Sequence, residues 1–465
     1  MAQSDATTGG DDSGRDDAAA TADLGELPPP PGPDGLPVVG NTFQFLGDVW
    51  AFYDTLADHG DVVSYRVAGY DFVTLLHPDH VERVLVGEPD RFRKGDVQRQ
   101  SGIELLERGL LLSEGEQWRH QRETLQPMFY RNRVESFGET MVEEAVRTVD
   151  SWDDGTVLEP RSTFSELTLR ILSRTLVGAD LGDEDDVVRE AARAIQARSD
   201  AGALSSFLPH WLPTPRNRRF KRATAEFDDL VSGLIDERRE EGPGEHEDLL
   251  STLVAAGDAP EGPSDREIRD QLMTFLFAGH ETSSLALTYA VYVLTQHPDV
   301  TARLETEVDD ALGESPPTVA DVPRLEYTER VIRETLRLYP PAYVLFRRTT
   351  EDVAFDGHRV PAGTELTLPA FRLHTDPRFW ENPEAFDPSR WAESEGKRPE
   401  YAYFPFGGGP RHCIGMRFAM LELKILLATF VRRVGFELVS DPDLSFDAAA
   451  TLQPSDPLEV RVTRR

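Results

Sequence analysis

Large apolar side chains recur three and four residues apart through residues 142–152, 164–176, 220–235 and 300–312, the period that lines one face of an α-helix. The longest such stretch opens at Ser264, where Glu267 completes a capping box, and stops at His297-Pro298. About 32 residues at 1.5 Å each give a helix of roughly 48 Å, long enough to cross a domain. Residues 272–279 at its middle are apolar on every side, which places them in a core. Strand signals are confined to short runs. Residues 62–67 and 72–76 flank a turn containing Gly69 and predict a hairpin, and further β-rich stretches lie at 344–355, 364–368 and 436–462. No repeat of fixed period is apparent. The pattern predicts a mainly α chain with a minor β region.

Residues 1–27 depart from this pattern. They are rich in Ala, Asp, Gly, Ser and Thr and hold too little apolar surface to order themselves, so they read as a disordered acidic tail. A proline-rich stretch at 28–33 then leads into the folded part. A chain of 465 residues has room for two or three domains, but the spacing of the motifs below favours one, spanning 28–465.

Charge narrows the partners. With 49 basic and 83 acidic residues the formal net charge is −34, which repels nucleic acid and anionic lipid. Lysine appears only at Lys94, Lys221, Lys397 and Lys424, all other basic residues being arginine. So acidic and lysine-poor a surface suits a salt-rich, halophilic cytoplasm, where screening shortens the reach of self-repulsion. The single cysteine, Cys413, excludes an intrachain disulfide and an all-cysteine zinc site. No apolar run reaches the length of a membrane span, and no signal-peptide pattern opens the chain. These features predict a cytoplasmic protein.

Candidate chemistry collects in four segments. Cys413 lies in Phe404-Pro405-Phe406-Gly407-Gly408-Gly409-Pro410-Arg411-His412-Cys413-Ile414-Gly415, a loop whose glycines let backbone approach a flat partner closely and which precedes a helical stretch at 417–434. Taken alone, a buried free cysteine beside a glycine turn is the reading that fits most lone cysteines. Glu334 and Arg337 stand three apart on a helix that ends at Tyr339-Pro340-Pro341, a spacing that also describes an ordinary surface ion pair. Trp118 and Arg122, four apart, can point one way. Ala278-Gly279-His280-Glu281-Thr282 interrupts the apolar centre of the longest helix with a glycine and a charge, both costly there, and such violations mark function. A zinc motif built on His280 and Glu281 fails because Ser284 stands where the second histidine is required.

In this order and spacing the segments resemble the cytochrome P-450 family, from about residue 28 to the C-terminus. The resemblance implies a single-domain fold, mainly α with a minor β region, and haem b held by the Cys413 thiolate, which pushes electron density toward iron to favour O–O cleavage. Phe406, Gly409, Arg411 and Gly415 match the haem-ligand loop; Trp118, Arg122, Arg347 and Arg411 match propionate-binding positions. Ala278 and Gly279 fall beside the haem, and Glu281 and Thr282 at the oxygen-activating positions. Glu334 and Arg337 are joined in the family by a later arginine, here Arg390, followed by Trp391 where phenylalanine is more usual. Substrate contacts are implied for Phe275, Ala342, Val344, Leu345, Phe346, Thr451 and Leu452, and a mobile access region for 207–215 with Trp211. The implied activity is a monooxygenase that hydroxylates or epoxidises a lipophilic small molecule with O2, supplied with electrons by a separate ferredoxin and ferredoxin reductase. A haem-thiolate isomerase or peroxygenase would not need Glu281 and Thr282, and a haem sensor would need no reductase. The charge reading makes its own test: denaturation midpoints should rise from dilute buffer to molar salt, and equal stability in low salt would contradict it.

Overall fold

The computed structural model describes residues 24–100, 106–200, 212–242, 248–259, 262–313, 315–392 and 398–465. Nearly all of the expected tail and the 207–211 part of the expected access region, Trp211 included, lie outside them. Among the described residues, nine longer helices organise the chain: α1 (Gly115–Leu125), α2 (Gly138–Asp150), α3 (Pro160–Leu172), α4 (Asp185–Ser199), α5 (Pro215–Glu241), α6 (Asp265–Gln296), α7 (Pro298–Leu312), α8 (Glu326–Leu338) and α9 (Met416–Arg433).

α6 is the predicted 32-residue helix, bounded as its sequence signals require. The Ser264 backbone N–H donates to the Glu267 carboxylate at 2.9 Å, occupying a donor that the helix start leaves free. Pro298 then forces the chain out of α6 and into α7. α6 is the axis of the molecule, touching α3, α4, α5, α7, α8 and α9. Its closest packing is against α3, and Gly279 is the reason. A Cβ at 279 would lie 2.9 Å from the Leu172 side chain of α3, nearer than carbon atoms approach. The glycine that interrupts the apolar run leaves room for Leu172 to pack against α6, and a side chain there would have to displace it.

Twelve strands among the described residues form the β region. β1 (Val62–Val67), β2 (Tyr70–Leu75), β3 (Phe92–Lys94), β5 (Val344–Thr349) and β8 (Glu365–Pro369) make one sheet in the order β1-β2-β8-β5-β3, antiparallel except for β2 with β8. The predicted hairpin turns on Ala68 and Gly69, both at positive φ, the conformation of a tight two-residue turn. β4 (Val157–Leu158), β9 (Val434–Leu438) and β12 (Val460–Arg464) form a second sheet, while β6 (Val353–Phe355) with β7 (His358–Val360) and β10 (Phe446–Ala448) with β11 (Leu452–Pro454) form hairpins. The β-rich stretch at 436–462 is thus short strands separated by turns.

The buried cluster around Glu334 ties the helices to the chain leading into the cysteine loop. Glu334 and Arg337 are fully buried and doubly bonded, at 3.0 and 2.8 Å. Arg390 donates to Glu334 at 2.8 Å, and Arg337 also reaches the carbonyls of His374, Pro383 and Ala385. The unusual Trp391 has a physical role that phenylalanine could not fill, since its indole N–H donates to Glu334 Oε2 at 2.9 Å. A buried carboxylate needs this many donors to offset its lost hydration. Trp391→Phe should lower unfolding free energy by about 2 kcal/mol, the value of a hydrogen bond to a charged group, measured by chemical denaturation.

Candidate haem-thiolate site

The cysteine loop is closed by a hydrogen bond from the Cys413 N–H to the Phe406 carbonyl at 2.9 Å. Gly407 and Gly409 hold positive φ, and the loop's tight contacts are with protein: a Cβ on Gly409 would strike the Leu85 carbonyl, and one on Gly408 the Tyr401 ring. Close approach to a flat partner is thus not the first demand on Gly408 and Gly409, as the sequence alone suggested; neighbouring chain already excludes side chains there. The loop is hung from α8 by His374, which accepts the Phe404 N–H at 2.9 Å and bonds the Arg337 carbonyl at 3.3 Å. Burial holds this imidazole neutral, its pKa pushed down to about 3. Cys413 is ringed by protein yet keeps an uncovered face. Burial raises its thiol pKa, opposed by the Gly415 backbone N–H and the Arg122 charge.

Trp118 and Arg122 both face the cysteine loop. Arg122 turns to the cysteine side and donates to the His412 carbonyl at 3.0 Å, with its other arm 3.1 Å from the His412 ring. Trp118 lies under the Arg411 guanidinium, 4.4 Å from carbon to ring centre. Four apart on one helix face, the two residues meet adjacent positions of the loop, Arg411 and His412. The cations that do gather are Arg411, Arg347 and Lys94. Lys94 and Arg347 are buried and stand directly opposite each other across β3 and β5, a like-charge pairing that opposes sheet formation. Burial and the neighbouring guanidiniums push the Lys94 pKa well down, and burial with Arg411 pushes that of Arg347 down to about 10. The nearby carboxylate, Glu114, pairs with Arg411 and accepts the Lys94 backbone N–H. With Arg99 beside Lys94 and Arg411 and 4.0 Å from Glu114, four cations against one carboxylate are a surplus that a dianionic edge would neutralise, and haem presents such an edge in its propionates.

Within α6, burial relaxes in one stripe. Phe275, Ala278, Gly279 and Thr282 are half-exposed where their neighbours are buried, and their spacing puts them on one face. Phe129 links this stripe to the cysteine loop, stacking on Phe275 at 5.5 Å and lying 3.9 Å from the position of a Cβ on Gly415. The Thr282 hydroxyl donates to the Ala278 carbonyl at 2.8 Å, so its lone pairs remain to accept. Glu281 is buried, and its Oε1 receives Gln453 at 3.0 Å, Gln196 at 3.3 Å and Arg161 at 3.4 Å.

The expected substrate contacts divide. Ala342, Val344, Leu345 and Phe346 are half-exposed, but strand alternation sends Val344 and Phe346 to one face of β5 and Leu345 with Arg347 to the other, so they cannot all line one surface. Leu345 borders Gly407, and Phe346 meets Gly95. Leu452 is a core residue instead, packed with Val49, Tyr343 and Ala448. Thr451 is buried and spends its hydroxyl on Gln196 and Gln453. Sequence reasoning missed Lys94, Gln196, Gln453, Arg161 and His374. Lysine's rarity was a signal for Lys94; the others are neutral or common residue types whose roles depend on distant partners. No group of three His, Cys, Asp or Glu side chains placed to hold a metal ion occurs among the described residues.

A cysteine loop backed by a helix, a surplus of buried cations and an interrupted central helix define the class of haem-thiolate enzymes. The family model described as cytochrome P450 matches residues 30–462, and the chain belongs to that family. It is 36% identical over 409 residues to a cyclooctat-9-en-7-ol 5-monooxygenase of Streptomyces melanosporofaciens, covering 86% of this chain and 88% of that one. It is 33% identical over 439 residues to a pentalenene oxygenase of Streptomyces avermitilis, covering 93% and 97%. A retinoic-acid-bound cyanobacterial CYP120A1 superposes with a TM-score of 0.84 at 26% identity, covering 95% of this chain and 100% of that structure. The protein is accordingly a haem-dependent monooxygenase that places one oxygen atom of O2 into a lipophilic small molecule, with electrons from a redox partner. No described helix is long and apolar enough to cross a membrane.

Lys94→Met separates cofactor binding from folding. It should stabilise the apoprotein by removing a buried like charge beside Arg347, yet raise the rate of haem loss about tenfold, as losing one charge-assisted hydrogen bond would. Haem transfer to apomyoglobin and apoprotein melting together check both signs.

Proposed function

We propose that the substrate is a terpenoid, that Cys413 would hold the haem iron through its thiolate, and that Glu281 and Thr282 manage proton supply in the site. The observation that carries this reading is the half-exposed stripe of α6, where apolar Phe275 and Ala278 adjoin a hydroxyl whose peptide neighbour is a buried carboxylate. The two Streptomyces relatives are named for terpene substrates, and the structural relative holds a retinoid. Haem supplies the reductive activation of dioxygen and the oxygen insertion. The protein's residues do the rest. Arg122, Arg347 and Arg411, with Trp118 packed beneath Arg411 and Lys94 beside Arg347, would seat the propionates. Phe275, Ala278, Ala342 and Leu345 offer apolar surface to the substrate. Thr282, its own proton committed to Ala278, accepts a hydrogen bond from water, and Glu281 exchanges protons with that water.

Electrons enter from the cysteine side, and the donor is an acidic ferredoxin served by its reductase. A groove of about 350 Å³ beside the start of α9 is lined by Arg417, by Arg131 and Lys424 paired with Glu135 and Glu329, and by Val319, Pro323 and Met420. The setting is a salt-rich cytoplasm.

Thr282→Ala should keep haem content and the carbon monoxide spectrum, because no haem-seating residue changes. With a diterpene or sesquiterpene substrate identified by its Soret shift, product per electron should fall several-fold while hydrogen peroxide rises; a hydroxyl that only braces the helix would leave that ratio unchanged.

A further inference from the structure

Lys94 stands where an ammonium charge is hard to keep. In β3 it shares the buried face with Phe92, as strand alternation requires. Directly across, in β5, is Arg347; Arg411 approaches from the cysteine loop and Arg99 from the short helix Asp96–Gln100. The carboxylate that faces this group, Glu114 just before α1, is already divided. It pairs with Arg411, lies 4.0 Å from Arg99 and accepts the Lys94 backbone N–H. Of the four cations the ammonium is the one that gives up a proton readily, because a delocalised guanidinium ordinarily holds its proton to above about pH 12. Burial, with Arg347, Arg411 and Arg99 alongside, holds the Lys94 pKa well below its usual value, opposed only by Glu114. Arg347, under the same pressure, is lowered to about 10 and keeps its charge at neutral pH.

We propose that this protein takes up haem together with a proton: in the haem-free chain Lys94 sheds its proton to relieve the crowding of cations, and the arriving propionates restore it. The proposal rests on the reading that Lys94 and its neighbouring arginines seat the propionates, and adds what that seating does to protons. A neutral Lys94 amine, one proton from solvent and a haem with both propionates ionised become a Lys94 ammonium beside two carboxylates; no covalent bond other than that N–H is made. The ammonium is the form the propionates favour, since it offers three donors and a charge where the amine would present a lone pair. Propionates therefore raise the Lys94 pKa above its haem-free value. Between those two values haem affinity contributed by Lys94 falls about tenfold per pH unit as pH rises; below them Lys94 is protonated in both states and contributes no pH dependence. Cys413 works in the opposite sense, because its thiol, raised by burial, must lose a proton to ligate a metal. Where both groups titrate, one proton enters as the other leaves.

Proton counting during haem loss tests this without turnover. Holoprotein is mixed with excess apomyoglobin in weakly buffered solution, and an indicator dye reads the protons exchanged per haem transferred. The contributions of Cys413 and of myoglobin are common to every variant, so differences between variants report Lys94. At about pH 9 the parent should release one proton per haem more than Lys94→Met, and the difference should fade toward about pH 6, where Lys94 stays protonated throughout. Lys94→Arg keeps the charge but cannot shed the proton, so it should match Lys94→Met in proton count while losing haem more slowly than Lys94→Met. Equal counts in parent and Lys94→Met across this range overturn the proposal; if Lys94→Met does not retain haem, the same comparison with Lys94→Arg decides it. Failure of the propionate reading looks different, as haem loss at the parent rate in both variants.

Discussion

Seating a doubly negative, flat cofactor inside a chain of net charge −34 is the electrostatic constraint on which the other features of this molecule depend. Carboxylates scattered over the surface cannot help, so positive charge has to be concentrated and buried at one place. Lys94 and Arg347 meet across adjacent strands, Arg411 joins them from the cysteine loop, and Glu114 answers only part of their charge. The arrangement is costly to the apoprotein and favourable once an anion arrives, so binding and folding are coupled here. Lysine is rare in this chain, and two of its four lysines, Lys94 and Lys424, are buried.

The cysteine loop is held to the same standard of rigidity from its other end. His374 spans the Arg337 carbonyl and the Phe404 N–H, so the Glu334–Arg337–Arg390 cluster and the loop share one bridging imidazole. Because burial keeps that ring neutral, it can donate on one side and accept on the other. The extra donor from Trp391 belongs to the same logic. A buried carboxylate is tolerable only with its lone pairs filled, and a tryptophan fills one where a phenylalanine could not.

The centre of α6 shows two requirements met by adjacent residues. Gly279 lets α3 cross closely, and the next positions carry the polar groups. Glu281 is tied outward to α3, α4 and the C-terminal hairpin, while Thr282 lies on the half-exposed stripe with Phe275 and Ala278. A single helix thus serves as the packing axis and as one wall of the site, and the residues that disturb its apolar pattern are those the two duties demand.

Much of this was legible in the chain itself. Helical period, the Ser264–Glu267 capping box and the His297-Pro298 stop define α6 to the residue, because local hydrogen bonding and proline sterics act within a few positions. The Glu334, Arg337 and Arg390 cluster and the Cys413 loop were readable for a different reason: their residue types and spacing carry the family resemblance. What tertiary structure alone decided are the partners. Arg122 meets His412, Leu452 went into the core, and the strand's alternation split residues 344–346 between two faces. Lys94, Gln196 and Gln453 owe their importance to residues between 85 and 255 positions away in the chain: Gln196 meets Glu281 and Thr451, Gln453 meets Glu281, and Lys94 faces Arg347. Local pattern dictates elements because its forces are short in sequence; long-range neighbours are chosen by packing, which a linear pattern does not encode.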